Sequence, residues 1–134
     1  MQYFSDSEEL YLLLQKLFKK IESNNSNASR VIQDSKLSIQ IQFNNPFAEV
    51  FIDGRKNPVQ ISYHTKNPRP DFKLELPADM FHEIMTGNVN MKKAISSGKF
   101  KVRGPIWKAF VLEDIFRNAK IIYPEILAEM GLTI

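Results

Sequence analysis

Helical spacing of apolar residues marks the start of the chain. Ser5-x-x-Glu8 predicts a capping box, and the apolar residues that follow it recur with the spacing of one helix face. These residues are Leu10, Leu13, Leu14, Leu17, Phe18 and Ile21. The polar cluster Ser23–Asn27 ends the predicted helix, because its side chains compete for backbone hydrogen bonds. One more helical turn is predicted at Ala28–Asp34.

Strict alternation of apolar and polar residues then predicts five β-strands. Their apolar positions are Leu37, Ile39, Ile41 and Phe43, then Ala48, Val50 and Ile52, then Val59, Ile61 and Tyr63, then Phe72, Leu74 and Leu76, and finally Phe100 and Val102. The short connections Asn44–Pro46 and Asp53–Pro58 predict an antiparallel meander for the first three strands. Because alternating strands bury one face, the helices are expected mainly on that face.

Helical spacing returns in the second half of the chain. Apolar residues between Met80 and Met85 predict a helix that ends at Gly87, and a short helical piece follows at Met91–Ser97. Gly104-Pro105 predicts the start of a third helix, and a last helix is expected after Ile121. These last helices carry apolar residues on more than one narrow stripe, so they must contact protein or ligand on more than one side.

Composition indicates one ordinary globular domain spanning residues 1–134, with 43% hydrophobic and 25% charged residues. There is no cysteine, so disulfides, thiolate nucleophiles and cysteine-based zinc sites are excluded. The start of the chain has no leader pattern, and no segment reaches the roughly 18 apolar residues of a membrane span. We therefore expect a cytoplasmic protein.

Signals for catalysis are weak in this sequence. The only histidines are His64 and His82, and neither accompanies a nucleophile elbow or a metal-binding spacing. The isolated glycines form no phosphate-binding loop, and His82 is expected to be a rim or surface residue. Asp71 is expected to cap a turn or to hold Arg69. We therefore predict a protein that is not an enzyme and has no cofactor and no metal.

Positive charge is concentrated between Gly87 and Leu112, where six basic residues occur without Asp or Glu. Lys99, Lys101 and Arg103 share one face of their strand. This basic row is either a solvated face or a surface that attracts anionic lipid head groups, acyl-CoA phosphates or nucleic acid. Nucleic acid is not expected, because Phe100 points away from the basic side chains and provides no stacking platform.

The segment Pro70–Ala109 resembles the lipid-binding domain of the sterol carrier protein 2 family. The resemblance rests on Pro-Asp before an alternating strand, on the Met/Phe helix, and on a following Ser-Gly-Lys turn and strand. The matching residues are Pro70, Asp71, Ser97, Gly98, Lys99 and Gly104. The resemblance extends over about Ser5 to Leu127 and suggests a standalone member of bacterial type. It implies an α+β fold with a five-stranded, mainly antiparallel sheet and helices on one face, enclosing an apolar cavity.

Met and aromatic residues at helical spacing either form plain core or line that cavity. The candidate ligand-binding residues are Met80, Phe81, Ile84, Met85, Met91, Trp107, Phe110, Ile115 and Phe116. The resemblance favours a non-catalytic carrier or sensor of a fatty acid, a fatty acyl-CoA, a sterol-like molecule or another lipid. Weak contact with an anionic membrane surface is assigned to Lys99, Lys101 and Arg103. The alternative is an interaction protein, monomeric or homodimeric, that uses its apolar C-terminal helices for dimerisation or for docking on a partner enzyme.

Overall fold

The computed structural model describes residues 3–23, 27–56, 58–66, 68–105, 108 and 110–132. In this part of the chain two helices precede four strands, and two short helices, a fifth strand and a long helix follow. These elements are α1 (Ser7–Ser23), α2 (Asn27–Ser35), β1 (Ser38–Asn44), β2 (Ala48–Asp53), β3 (Gln60–Tyr63), β4 (Phe72–Pro77), α3 (Ala78–Met85), α4 (Met91–Ser96), β5 (Lys101–Arg103) and α5 (Phe110–Glu129).

The strands form one five-stranded sheet in the order β3–β2–β1–β4–β5. The predicted meander is confirmed, because β1 pairs antiparallel with β2 and β2 pairs antiparallel with β3. At the centre of the sheet β1 and β4 run parallel, with Ile39 opposite Phe72. β5 then returns antiparallel to β4. The predicted α+β class with a mainly antiparallel sheet is therefore confirmed.

The alternating residues of the strands bury one face of the sheet. Ile39, Ile41 and Phe43 of β1 are buried, as are Leu74 and Leu76 of β4. The apolar stripe of α1 is also buried, and α1 contacts β2 while α3 contacts β4. Helices α1 and α2 in turn contact α5. Burying these apolar surfaces together is the main favourable contribution to the fold.

The capping box at the start of α1 lies one residue later than the sequence predicted. The Asp6 carboxylate accepts a hydrogen bond from the backbone N–H of Glu9 at 2.8 Å, and the Glu9 carboxylate accepts one from the backbone N–H of Ser5 at 3.1 Å. Asp6 therefore takes the N-cap role predicted for Ser5, and Glu9 replaces Glu8 but bonds the N–H of Ser5, the residue before the cap. An aspartate caps a helix as well as a serine does, so the sequence allowed both registers.

The C-terminal helices differ from the prediction. A single helix, α5, runs from Phe110 to Glu129, whereas two helices starting at Pro105 and after Ile121 were predicted. Pro105 instead belongs to a turn closed by the backbone N–H of Lys108, which donates to the Pro105 carbonyl at 2.9 Å. Asn118 lies inside the helix, and its side-chain amide donates to the Asp114 carbonyl at 2.8 Å. Pro124 is tolerated inside α5.

Gly104 is one of the residues on which the family resemblance rests, and the structure shows why a glycine is needed there. It follows β5 with a φ of 148°, and a Cβ atom there would lie 2.4 Å from the Phe72 ring and 2.7 Å from the Asp71 carbonyl. Only glycine allows this close approach. The Asp71 carboxylate accepts a hydrogen bond from the backbone N–H of Ser38 at 2.9 Å. Asp71 therefore fixes the start of the β1–β4 pair.

Candidate functional site

A surface cleft of about 310 Å³ lies between the α3–α4 segment and α5. Its apolar floor is formed by Ile84, Met85, Met91 and Phe116. Ile84, Met85 and Phe116 are buried, and Met91 is partly buried. Val89, in the connection between the two short helices, completes the apolar lining. The volume falls at the lower end of the roughly 300–1,000 Å³ that small-molecule sites occupy.

The rim of the cleft is polar and mainly positive. Lys92 lies on one side, Arg117 and Lys120 lie on the other, and Glu113 is the acidic residue among the lining side chains. All four are exposed. The Asn90 side chain accepts a hydrogen bond from the backbone N–H of Lys92 at 2.8 Å and so caps α4 at the edge of the cleft. An apolar floor under a cationic rim suits an amphipathic molecule with a negatively charged end.

An aromatic cluster supports the floor from below. The Phe116 ring packs near Phe81 and Phe100, with ring centroids 6.2 Å and 5.7 Å away. Phe81 also makes an edge contact with Tyr123 at 6.0 Å. These perpendicular or tilted arrangements are those that aromatic quadrupoles favour. The floor therefore rests on closely packed side chains from α3, α5 and the segment before β5.

His82 lies at the inner end of this cluster and not at a rim or on the surface, as the sequence had suggested. It is only 5% exposed, its Nδ1 lies 2.7 Å from the Tyr123 hydroxyl, and its ring stacks on Tyr3. Burial lowers the pKa of His82, while the nearby carboxylates of Glu83 and Asp79 oppose this shift. Burial also raises the pKa of Tyr123. At neutral pH both groups are therefore uncharged, and their hydrogen bond joins α3 to α5.

The candidate residues from the sequence occupy four kinds of position. Four line the cleft: Ile84, Met85, Met91 and Phe116. Phe81 and Ile115 are buried, and Met80 is partly buried against the core. Phe110 is 62% exposed on the outer side of α5. Trp107 lies outside the described residues. The assignment of these residues to a ligand, and the cavity expected between sheet and helices, stay predictions.

The sequence reasoning did not select the polar rim. Glu113 and Lys120 lie three and four residues from Phe116, so they lie on neighbouring turns of α5, and Arg117 directly follows Phe116. A search for charged residues three or four positions from Phe116 would have found Glu113 and Lys120. Only the fold shows that Lys92 of α4 lies across the same cleft.

The basic row has the predicted exposure, but only Lys101 and Arg103 lie in β5, which begins later than predicted. Lys99, Lys101 and Arg103 are exposed, whereas Phe100 between them is buried. Lys101 pairs across the sheet with Glu75, which offsets part of the positive charge. Within the described ranges there is no group of three or more His, Asp or Glu side chains suited to a metal ion. None of the helices described is both long and apolar enough to span a bilayer.

Known proteins resemble this chain in sequence and in fold. A fatty acid-binding protein of Yarrowia lipolytica is 33% identical over 67 residues, which are 48% of this chain and 52% of that protein. The chain thus matches about half the length of this curated relative.

Two solved structures share the fold. The apo form of sterol carrier protein 2 from Yarrowia lipolytica has a TM-score of 0.63 at 23% identity, over 90% of this chain and 98% of that one. The sterol carrier protein domain 2 of Helicoverpa armigera has a TM-score of 0.61 at 19% identity, over 79% of this chain and 84% of that one. The family model for the SCP-2 sterol transfer family matches residues 14–117. The chain therefore belongs to the SCP-2 sterol transfer family.

Proposed function

We propose that the protein binds an amphipathic lipid without chemical reaction, with the acyl part on the floor of the cleft and an anionic head group at its rim. The observation that carries this proposal is the combination of an apolar floor with Lys92, Lys120, Arg117 and Glu113 at the rim, where Arg117 is also paired with Asp114 at 2.6 Å. Family membership and the name of the Yarrowia relative support a lipid as the ligand and a fatty acid as its simplest form.

Burial of the acyl chain supplies most of the binding free energy. Each methylene that leaves water contributes about 0.8 kcal/mol, so a chain segment of about five carbons contributes about 4 kcal/mol. A charge-assisted hydrogen bond from a rim cation to a carboxylate adds about 1.5–3 kcal/mol. Chain length is therefore expected to determine the affinity, and the rim is expected to select acids over neutral lipids.

The first experiment identifies the ligand on protein purified from cells without denaturant. Native mass spectrometry with lipid extraction is expected to show a bound fatty acid or another anionic lipid. Titration with a long-chain fatty acid is then compared with titration of the fatty alcohol of equal length. Stronger binding of the acid supports the anionic rim. A protein that carries no lipid and binds neither compound would contradict the proposal.

Matched variants separate the floor from the rim. Met91→Glu places a charge on the apolar floor and is expected to reduce binding of both acid and alcohol, whereas Met130→Glu, outside the cleft lining, is the control. Lys120→Gln removes a rim cation and is expected to weaken acid binding about tenfold while leaving the alcohol unchanged. Lys66→Gln, on an exposed loop, is its control. Equal effects of Lys120→Gln and Lys66→Gln would remove the rim from the proposal.

We also propose that Lys99, Lys101 and Arg103 contact an anionic membrane surface. The proposed compartment of the protein is the cytoplasm. The exposure of these three residues supports the membrane contact, with Lys101 and Arg103 in the edge strand β5 and Lys99 just before it. Each basic residue near an anionic surface contributes about 1 kcal/mol, so the contact is expected to be weak and reversible. Flotation with vesicles of rising phosphatidylserine content, with and without the Lys101→Glu substitution, measures it.

A further inference from the structure

The outer side of α5 carries two large apolar residues in water. Phe110 is 62% exposed and Ile121 is 74% exposed, whereas nine other residues of the same helix, most of them apolar, are buried. Phe110 and Ile121 are about three turns apart and lie on the same side of the helix, separated by about 16 Å. They are the two most exposed large apolar side chains of the described residues, ahead of Phe47 at 49% and Leu12 at 47%.

Two opposite charges lie between these apolar residues. Asp114 and Arg117 are on the same side of α5, and the Arg117 Nη1 lies 2.6 Å from the Asp114 Oδ1. Their side chains are 29% and 65% exposed. We call Phe110, Asp114, Arg117 and Ile121 the α5 ridge.

The order of residues along the α5 ridge is self-complementary. Phe110 and Ile121 are equally distant from the peptide bond between Ile115 and Phe116, and so are Asp114 and Arg117. Two copies of α5 can run antiparallel about a two-fold axis at this point. Phe110 of each copy then lies opposite Ile121 of the other copy. The same rotation places each Asp114 opposite the Arg117 of the second copy. A two-fold interface requires this kind of self-complementarity.

We propose that the α5 ridge is the contact surface for a second copy of this chain, with the two α5 helices antiparallel. The charge pattern favours a second copy over a membrane, because Asp114 and Arg117 cancel at the centre of the ridge. An anionic membrane would instead favour cations around the apolar residues. A contact made by one helix from each copy buries less than about 1,200 Å², which is the range of weak and transient complexes.

The dimer also changes the cleft described above, because Arg117 belongs to both the ridge and the cleft rim. In the single chain Arg117 is paired with its own Asp114, and in the dimer it also faces the Asp114 carboxylate of the second copy, so it is less available to an anionic head group at the rim. If the proposed function is correct, dimer formation and binding of an anionic lipid therefore oppose each other, and each weakens the other to the same extent. The dimer itself does not depend on the lipid proposal and is tested without lipid.

Charge reversal at the centre of the ridge tests the dimer. Sedimentation velocity on the lipid-free protein, from about 5 µM to about 500 µM, is expected to show a reversible monomer–dimer equilibrium. Asp114→Arg and Arg117→Asp each place like charges opposite one another and are expected to weaken self-association at least about tenfold. An equimolar mixture of the two variants restores both charge pairs, so it is expected to form a heterodimer. Ile121→Asp cannot be rescued in this way and is expected to remain monomeric.

Circular dichroism melts establish that each variant is folded. Formation of a heterodimer in the mixture shows independently that both charge-reversal variants are folded. Three results would overturn the proposal. The first is a wild-type protein that remains monomeric over the whole concentration range. The second is a dimer that both single charge reversals leave intact. The third is a monomer that binds phosphatidylserine vesicles through Phe110 and Ile121, which would assign the ridge to a membrane.

Discussion

The inner and outer sides of α5 show how the same residue type takes opposite roles in one helix. Ile126 is fully buried, whereas Ile121, little more than one turn earlier, is 74% exposed. Both are isoleucines in a continuous helix, so hydrophobicity alone does not explain the difference. The inner side contacts α1 and α2, and the outer side carries the cleft rim and the ridge. The position on the helix, relative to neighbouring elements, therefore decides which apolar residues stabilise the fold and which remain available for binding.

Truncation of one isoleucine on each side gives the largest expected difference. Ile126→Ala removes a fully buried side chain and is expected to lower the free energy of unfolding by about 2–5 kcal/mol. Ile121→Ala makes the same chemical change on the exposed side and is expected to change it by no more than about 0.5 kcal/mol. Urea denaturation of dilute protein measures both. Similar losses for the two variants would contradict the assignment of the two sides.

The inner side also holds a polar contact whose loss has an intermediate effect. Tyr123→Phe removes the hydroxyl 2.7 Å from Nδ1 of His82 and leaves a buried ring nitrogen without that partner. The expected loss is about 1–3 kcal/mol of unfolding free energy. Tyr11→Phe is the comparison, because the Tyr11 hydroxyl contacts the Glu49 N–H in a partly exposed place where water can substitute. A Tyr123→Phe protein no less stable than Tyr11→Phe would show that the contact contributes little.

The pH dependence of stability is the smallest expected effect. Burial places the pKa of His82 below the value of about 6.5 that a histidine has in an unfolded chain. Between these two pKa values the unfolded state binds more protons than the folded state, so stability rises with pH. The contribution of neutral His82 is complete above about pH 6.5 and is lost as the pH falls towards the folded-state pKa.

Thermal melts between about pH 8 and about pH 5 measure this loss. His82→Gln keeps a polar side chain that does not titrate, and it is expected to flatten the curve in this range. His64→Gln is the control, because His64 is exposed. A wild-type curve that matches the His82→Gln curve would exclude His82 as the titrating group.

Local patterns predicted most of the secondary structure. The alternating apolar residues of the strands and the apolar stripe of α1 follow directly from the sequence, because a buried face imposes one period on each element. The burial of Gln40 and Phe51 on the other face of β1 and β2 does not follow from that period. The cap of α1 was placed one residue early, since Asp6 and Ser5 both favour an N-cap. The continuity of α5 was missed because Asn118 and Pro124 favour helix ends locally, whereas packing against α1 and α2 extends the helix through both.

The candidate site was predictable only in part. Ile84, Met85, Met91 and Phe116 were selected from composition and helical spacing, and they line the cleft. Lys120 was not selected, although it lies one turn from Phe116, and only the fold shows that Lys92 of α4 lies across the same cleft. His82 was placed at a rim or on the surface, because its neighbours Phe81 and Glu83 do not reveal which side of α3 faces Tyr123.

The sequence by itself determined most of the element types, the apolar face of the sheet and the family resemblance, whereas the α5 ridge exists only because α5 is one continuous helix. Tertiary structure decided which helix faces meet, and therefore the parallel pairing of β1 with β4, the burial of His82 and the position of the cleft. The reason is physical. Periodicity reports the environment of one element at a time, whereas a cleft, a buried hydrogen bond and a strand order depend on contacts between elements distant along the chain.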